Sequence, residues 1–160
     1  MSTVRLVLFL FLLFAPFPAL ALESFTARVV AVPNGDAITV LTADNKQIDI
    51  RLYGIDCPEY RQAFGVLSRQ TTMGAVYEEN VAVQPLYQDR FDRTVAIVSI
   101  DGKTLQEILI REGVAWVYPK YCTEEEICAP LQRLEEEARA QRKGLWAEEK
   151  AMPPWKWRAR

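Results

Sequence analysis

Apolar and polar positions alternate in short runs through the first two thirds of the chain. Phe25 to Val32 and Ala37 to Thr42 are rich in Val, Ile and Thr, and Pro33-Asn34-Gly35 between them is a tight-turn signal. Lys46 to Tyr53 reads as a third strand after the turn at Ala43-Asp44-Asn45. Asn80 to Leu86 and Arg93 to Ile100 supply two more, and Asp101-Gly102 closes the last. In that last strand Val95 and Ile97 alternate with Ala96, Val98 and Ile100, so both faces are apolar. One face then lines a barrel while the other lies under a helix.

Three segments read as helices instead. Gln62 to Tyr77 lacks proline and carries Phe64, Leu67 and Met73. Thr104 with Glu107 three residues on forms a capping box, and Gly113 ends that helix. The last helix is predicted from about Pro130 to Lys143, apolar along Leu131, Leu134 and Ala138, with Gly144 as its stop. Five strands with about three helices predict an α+β, mainly β chain: a five-stranded Greek-key barrel of the oligonucleotide/oligosaccharide-binding (OB) type with helices packed outside. Periodicity does not give strand order, so a different small mixed sheet stays open.

The N-terminus carries a different pattern. Arg5 precedes an unbroken apolar stretch from Leu6 to Phe14, and Ala19-Leu20-Ala21 matches the small-x-small cleavage pattern. The apolar stretch is short of the roughly 20 residues a spanning helix needs. Residues 1–21 are therefore expected to be a signal peptide, with a mature chain starting near Leu22, exported to the periplasm or secreted. An uncleaved membrane anchor is the competing reading. The remaining length, about 140 residues, suits one compact domain, assigned to residues 22–150, and a basic aromatic tail, 151–160.

Charge adds little, but composition adds a constraint. The chain has 19 basic and 21 acidic residues. Removing Arg5 leaves a mildly acidic protein, which argues against a sequence-independent nucleic-acid coat. The chain contains no histidine. That excludes Ser-His and Cys-His nucleophile pairs and imidazole zinc sites, and leaves carboxylate, lysine, tyrosine or bound hydroxide as a base. A hard cation bound through oxygen fits this inventory better than zinc. Of three cysteines, Cys122 and Cys128 flank Thr123-Glu-Glu-Glu-Ile127 and are expected to form a disulfide in an exported protein. Cys57 is left as a small, partly buried residue.

The most informative stretch is Arg51-Leu-Tyr-Gly-Ile-Asp56-Cys57-Pro58-Glu59. An arginine and two carboxylates gather around a proline turn at the end of a strand. Pro58 fixes its own φ, so Glu59 projects from a rigid loop. Such a trio suits phosphate chemistry: a guanidinium clamps an anionic oxygen, one acid holds a cation and another handles a proton.

Several motifs in order extend this signal. Asn34-Gly-Asp-Ala37 resembles an Asp-Gly-Asp-Thr turn, and Arg51 to Glu59 resembles Arg-Leu-x-Gly-Ile-Asp-x-Pro-Glu. Asp89-Arg-Phe-Asp-Arg93 resembles Asp-x-Tyr-Gly-Arg, and Asp101-Gly-Lys, Gly113-Val-Ala and Gly144-Leu-Trp146 follow. Together, from about Phe25 to Trp146, the chain resembles the staphylococcal-type (thermonuclease-like) nuclease family. The resemblance implies an OB-type barrel with three helices and a calcium-dependent endonuclease cutting DNA and RNA with little sequence preference. It implies single-stranded or loosened nucleic acid as substrate, products ending in 3′-phosphate, and a monomer.

Residue by residue, the resemblance makes Asp36 and Asp56 calcium-binding carboxylates, with Cys57 contributing a backbone carbonyl. It makes Glu59 the acid that activates water, and Arg51 and Arg93 the arginines on the scissile phosphate. Arg90 and Tyr121 fall where the family contacts a terminal phosphate and a nucleotide. Asn34 and Ala37 depart from the family by replacing an acid and a hydroxyl residue, and Phe91-Asp92 replaces Tyr-Gly.

A non-catalytic oligonucleotide-binding module is the alternative function. Such a module has no use for three acids that repel a phosphate backbone, and Asp36, Arg51, Asp56, Glu59 and Arg93 are all present. A phosphodiesterase for small nucleotides or phosphorylated lipids would use the same chemistry. The glutamates at 124–126 and 135–137 read as solvated faces, with Glu135 and Arg139 as an i,i+4 pair. For the tail, Pro153 to Arg160, two readings are open: contact with nucleic acid or an anionic surface, or packing of Trp155 on the body with a frayed end beyond.

Overall fold

The computed structural model describes residues 23–160. The leader expected at residues 1–21 lies outside the described residues. Alternating β-branched residues build β1 (Phe25–Asn34), β2 (Ala37–Leu41) and β3 (Gln47–Leu52) as an antiparallel meander. After β4 (Ile55–Asp56) and α1 (Gly65–Val76), β5 (Asn80–Gln88) pairs with the other edge of β1, and β6 (Thr94–Ile100) pairs with β5. β6 then runs parallel to β3, with Arg51 opposite Val95, and closes a five-stranded mixed barrel. Pro85, inside β5, lies where the β5–β6 register shifts, a place where a missing N–H is tolerated.

The barrel interior is filled by fully buried aliphatic residues, among them Val29, Val40, Ile50, Val81, Val83 and Val98. A two-residue strand, β7 (Lys103–Thr104), extends β6 and leads into α2 (Leu105–Arg111). The expected capping box is present: Thr104 Oγ1 accepts the Glu107 N–H, and Glu107 Oε2 accepts the Thr104 N–H. β8 (Trp116–Val117) pairs with β4, and α3 (Glu125–Ala140) packs on α2. The chain ends in a 3₁₀ turn, Gly144–Ala147, and a short helix, α4 (Pro154–Trp157).

Two helices differ from the sequence expectation. α1 begins at Gly65 and buries Gly65, Ser68, Thr72 and Val76, while Leu67 is 44% exposed. Its inner face must be small because it lies directly on the β1–β2 turn. A Cβ at Gly35 would sit 2.0 Å from Ser68 Oγ, and Thr72 Oγ1 donates to the Gly35 carbonyl at 2.6 Å. α3 begins five residues before Pro130, which lies inside it. Glu125 and Glu126 in its first turn suit the positive helix end, and the Cys122–Cys128 disulfide pins that turn. Tyr53 Oη accepts the free N–H groups of Thr123 and Glu124 just ahead of it.

Candidate active site

Two turns carry the acids, and the fold brings them together at one end of the barrel. The β1–β2 turn presents Asp36. Its backbone carbonyl accepts the Leu52 N–H at 2.9 Å, and its Oδ2 accepts the Cys57 N–H at 2.7 Å. The β4–β8 pairing fixes Asp56 beside it. Both carboxylates are buried, Asp56 to 2% exposure.

Arg51, at the end of β3, joins them. Its Nη2 lies 3.1 Å from Asp36 Oδ2 and 3.0 Å from Asp56 Oδ1, while Nη1 donates to the carbonyls of Asp36 and Leu52. One planar guanidinium thus spans two acids and two backbone oxygens, a task its fork geometry permits. Glu59 follows Pro58 at the rim. Its N–H donates to Gln62 Oε1, and a Cβ at Gly65 would come within 1.9 Å of its carbonyl oxygen, so the loop is fitted tightly to the start of α1.

The C-terminal segment brings a second guanidinium that sequence reasoning left in the tail. Arg158 Nη1 donates to Glu59 Oε1 at 2.7 Å and to Asp56 Oδ1 at 3.3 Å, and Nη2 donates to Asp56 Oδ2 at 2.8 Å. Burial raises the Asp56 pKa and the neighbouring Asp36 charge adds to this. Hydrogen bonding and charge from Arg158, with the Arg51 charge, oppose it without cancelling it. Burial alone would lower the pKa of Arg158, but its bonds to Asp56 and Glu59 outweigh that and fix it as a cation.

Arg93, Arg90 and Tyr121 find their partners outside this cluster. Arg93 immediately precedes β6, whose Thr94 pairs with Ile50 beside Arg51, so it enters next to the end of β3. Its guanidinium is held by Asp89 through Nε at 2.9 Å and Nη2 at 2.7 Å, not by the site acids. Burial works against the Asp89 charge, but bonds from Arg93 and the Phe91 N–H outweigh it and hold its pKa low. Arg90 lies over the Phe91 ring at 4.7 Å. Tyr121 is 47% exposed and packs edge-on against Tyr118. Cys57 is a free, buried thiol, its pKa pushed well up by burial and by the Asp36 charge, which leaves it inert as a nucleophile.

Glu135 corrects the expectation of a purely solvated face. It pairs with Arg139 at 3.1 Å, yet its Oε1 also accepts the Val117 N–H at 2.9 Å, so it holds β8 from within α3.

For the described residues, no group of three or more His, Cys, Asp or Glu side chains is arranged to hold a metal ion. Asp36 and Asp56 nevertheless offer two buried carboxylates converging on one guanidinium nitrogen. An all-oxygen pair of that kind fits a hard cation that completes its shell with water, backbone or phosphate oxygens.

Known proteins of similar sequence carry nuclease names. The family model described as "Staphylococcal nuclease homologue" matches residues 49–148. A Haemophilus influenzae protein named "Uncharacterized endonuclease" is 37% identical, covering 93% of this chain and 82% of its own. A protein of Escherichia coli O157:H7 with the same name is 36% identical over 98% of this chain and 97% of its own. A Shigella flexneri protein named "Micrococcal nuclease" is 37% identical, covering 86% and 83%.

Proposed function

The chain belongs to the staphylococcal nuclease homologue family, and from that premise we propose that it is an exported, calcium-dependent endonuclease. Its substrate is single-stranded or loosened DNA and RNA, cut with little sequence preference. The observation that carries this reading is the meeting of Arg51 with buried Asp36 and Asp56 beneath Glu59. A binding module gains nothing from burying two acids where a phosphate must approach.

Asp36 and Asp56 would hold the cation, with the Cys57 carbonyl as a further ligand carried over from the family resemblance. When bound, the cation stabilises charge on a phosphate oxygen and acidifies a coordinated water. Glu59, 38% exposed at the rim, takes the proton from the attacking water. Arg51 stabilises the non-bridging oxygens as charge grows on them. Arg93 does the same from the loop leading into β6, exchanging part of its Asp89 pair for phosphate. Arg90 and Tyr121, by the family resemblance, contact the rest of the nucleotide chain.

Export rests on the leader pattern at residues 1–21 together with the Cys122–Cys128 disulfide. The mature protein is expected to start near Leu22 and act as a monomer.

A gel assay on purified mature protein tests the function directly. Single-stranded DNA and RNA should be degraded with calcium, with magnesium and manganese compared, and chelator should stop the reaction. Absence of cleavage with all three cations, beside measurable oligonucleotide binding, would replace the enzyme by the binding module.

A further inference from the structure

We propose that Arg158 is a sixth charged residue of the site, a positioning residue that pairs with Glu59 and competes with the divalent cation for Asp56. The inference rests on the metal-dependent reading above. Its ground is the occupancy of the acids. Asp56 Oδ2 has Arg158 as its hydrogen-bond partner, Asp56 Oδ1 is shared by Arg51 and Arg158, and among the described residues Glu59 Oε1 is held by Arg158 alone. Neither Asp56 oxygen is free of a guanidinium, so a cation that takes Asp56 as ligand must displace Arg158 from Oδ2. Two cations cannot share that oxygen at short range without strong repulsion.

The segment carrying Arg158 is built to deliver it. Gln62 donates to the Met152 carbonyl, anchoring the approach beside Glu59. Pro154 is buried, and the Trp155 ring stacks on Tyr118 with centroids 4.6 Å apart and planes 5° apart, while meeting Trp116 edge-on. The Arg158 N–H donates to the Pro154 carbonyl, so the single turn of α4 aims the guanidinium inward. The anchor is apolar and the contact with the acids is ionic. A cation can therefore break the second while Trp155 stays in place. With Arg158 seated, the Glu59 carboxylate is ion-paired, so the tail keeps base and metal ligand occupied until the cation arrives.

Calorimetric titration of calcium into the mature protein, free of nucleic acid, tests this. Because a competitor lowers apparent affinity by the fraction of open sites, Arg158→Ala should bind calcium at least about five-fold tighter than wild type. Lys156→Ala removes the same charge from the same tail without touching the acids, and should stay within about two-fold. Hydrogen exchange at the Trp157 and Arg158 amides should quicken on adding calcium to wild type and not to Asp56→Ala.

Calcium affinity equal to or weaker than wild type in Arg158→Ala would overturn the competition, as would an equal gain in Lys156→Ala. A rise in KM for DNA in Arg158→Ala at unchanged calcium affinity would overturn it in favour of a phosphate contact. Cleavage measured in parallel keeps the two readings apart. A protein that cleaves, yet whose calcium affinity ignores Arg158, loses the competition alone. Calcium that binds neither wild type nor Arg158→Ala removes the competition together with the calcium reading.

Discussion

Arg51 and Glu59 sit eight residues apart and face opposite tests. Arg51 spans four oxygens with one rigid fork, two of them on buried acids. Lysine keeps the charge but offers one nitrogen, which cannot reach Asp36 and Asp56 while also satisfying the carbonyls. Arg51→Lys should lower kcat by roughly 10²–10³, the usual loss for a donor aimed at developing charge. It should also lower the melting temperature, since leaving a buried acid short of a partner costs about 1–3 kcal/mol. Glu59→Gln instead keeps size and hydrogen bonding at a half-exposed position. It should cut kcat by about 10²–10⁴ with folding nearly unchanged. Near-normal turnover of Glu59→Gln at saturating calcium would remove the general-base role and leave the rest of the reading intact. The placement of Arg51, Asp56 and Glu59 was legible because they lie in one nonapeptide whose strand and proline turn fix their directions. Arg158 was not legible, because its partners Glu59 and Asp56 are 99 and 102 residues away and nothing local marks such a pairing.

Among the elements, what depends on neighbours in sequence was readable and what depends on packing was not. The Thr104–Glu107 box is a three-residue spacing, and it appears as expected. The start of α3 was misplaced because Pro130 looks like a first-turn residue, whereas the disulfide, the Tyr53 hydroxyl and two first-turn acids set the start further back. The disulfide closes a loop of six-residue separation. Such a short loop restrains the unfolded chain modestly, so reduction should cost about 2 kcal/mol in a urea titration with and without reductant. Three free thiols in the unreduced mature protein, counted by alkylation and intact mass, would refute the bridge. Glu135 gives α3 a pH dependence. Burial raises its pKa above the usual glutamate value of 4.5, and the Val117 N–H and Arg139 only partly oppose this. The folded protein therefore binds that proton more tightly than the unfolded chain. Its contribution to stability is full below 4.5 and is lost as the pH rises through the raised value. Glu135→Gln keeps an acceptor for Val117 without titrating. Melting curves taken across that window should show the variant gaining on wild type as pH rises, and parallel curves would show that Glu135 does not titrate there.

At the scale of the whole molecule, barrel closure makes a site out of scattered residues. The parallel β3–β6 contact brings Arg51, on β3, near Arg93, just ahead of β6, and the β4–β8 pair places Asp56 beside the β1–β2 turn. The five strands could be counted from alternation, but their order could not, since alternation names a face and not a partner. The two-residue strands β4, β7 and β8 are too short to carry any period. A site assembled from three separate connections couples the placement of Asp36 and Asp56 to the stability of the entire barrel. A cation that binds only the folded arrangement of Asp36 and Asp56 stabilises it by mass action, about 2.7 kcal/mol at a hundred-fold excess over Kd. For a domain of this size that corresponds to a rise in Tm on the order of 10 °C. Calorimetric melts of the mature protein should show that rise with calcium and lose it on chelation. Asp56→Ala should melt at a temperature indifferent to calcium. If wild type cleaves DNA with calcium yet melts at the same temperature without it, the free protein does not hold the cation. Asp36 and Asp56 would then acquire it only with the phosphate already seated.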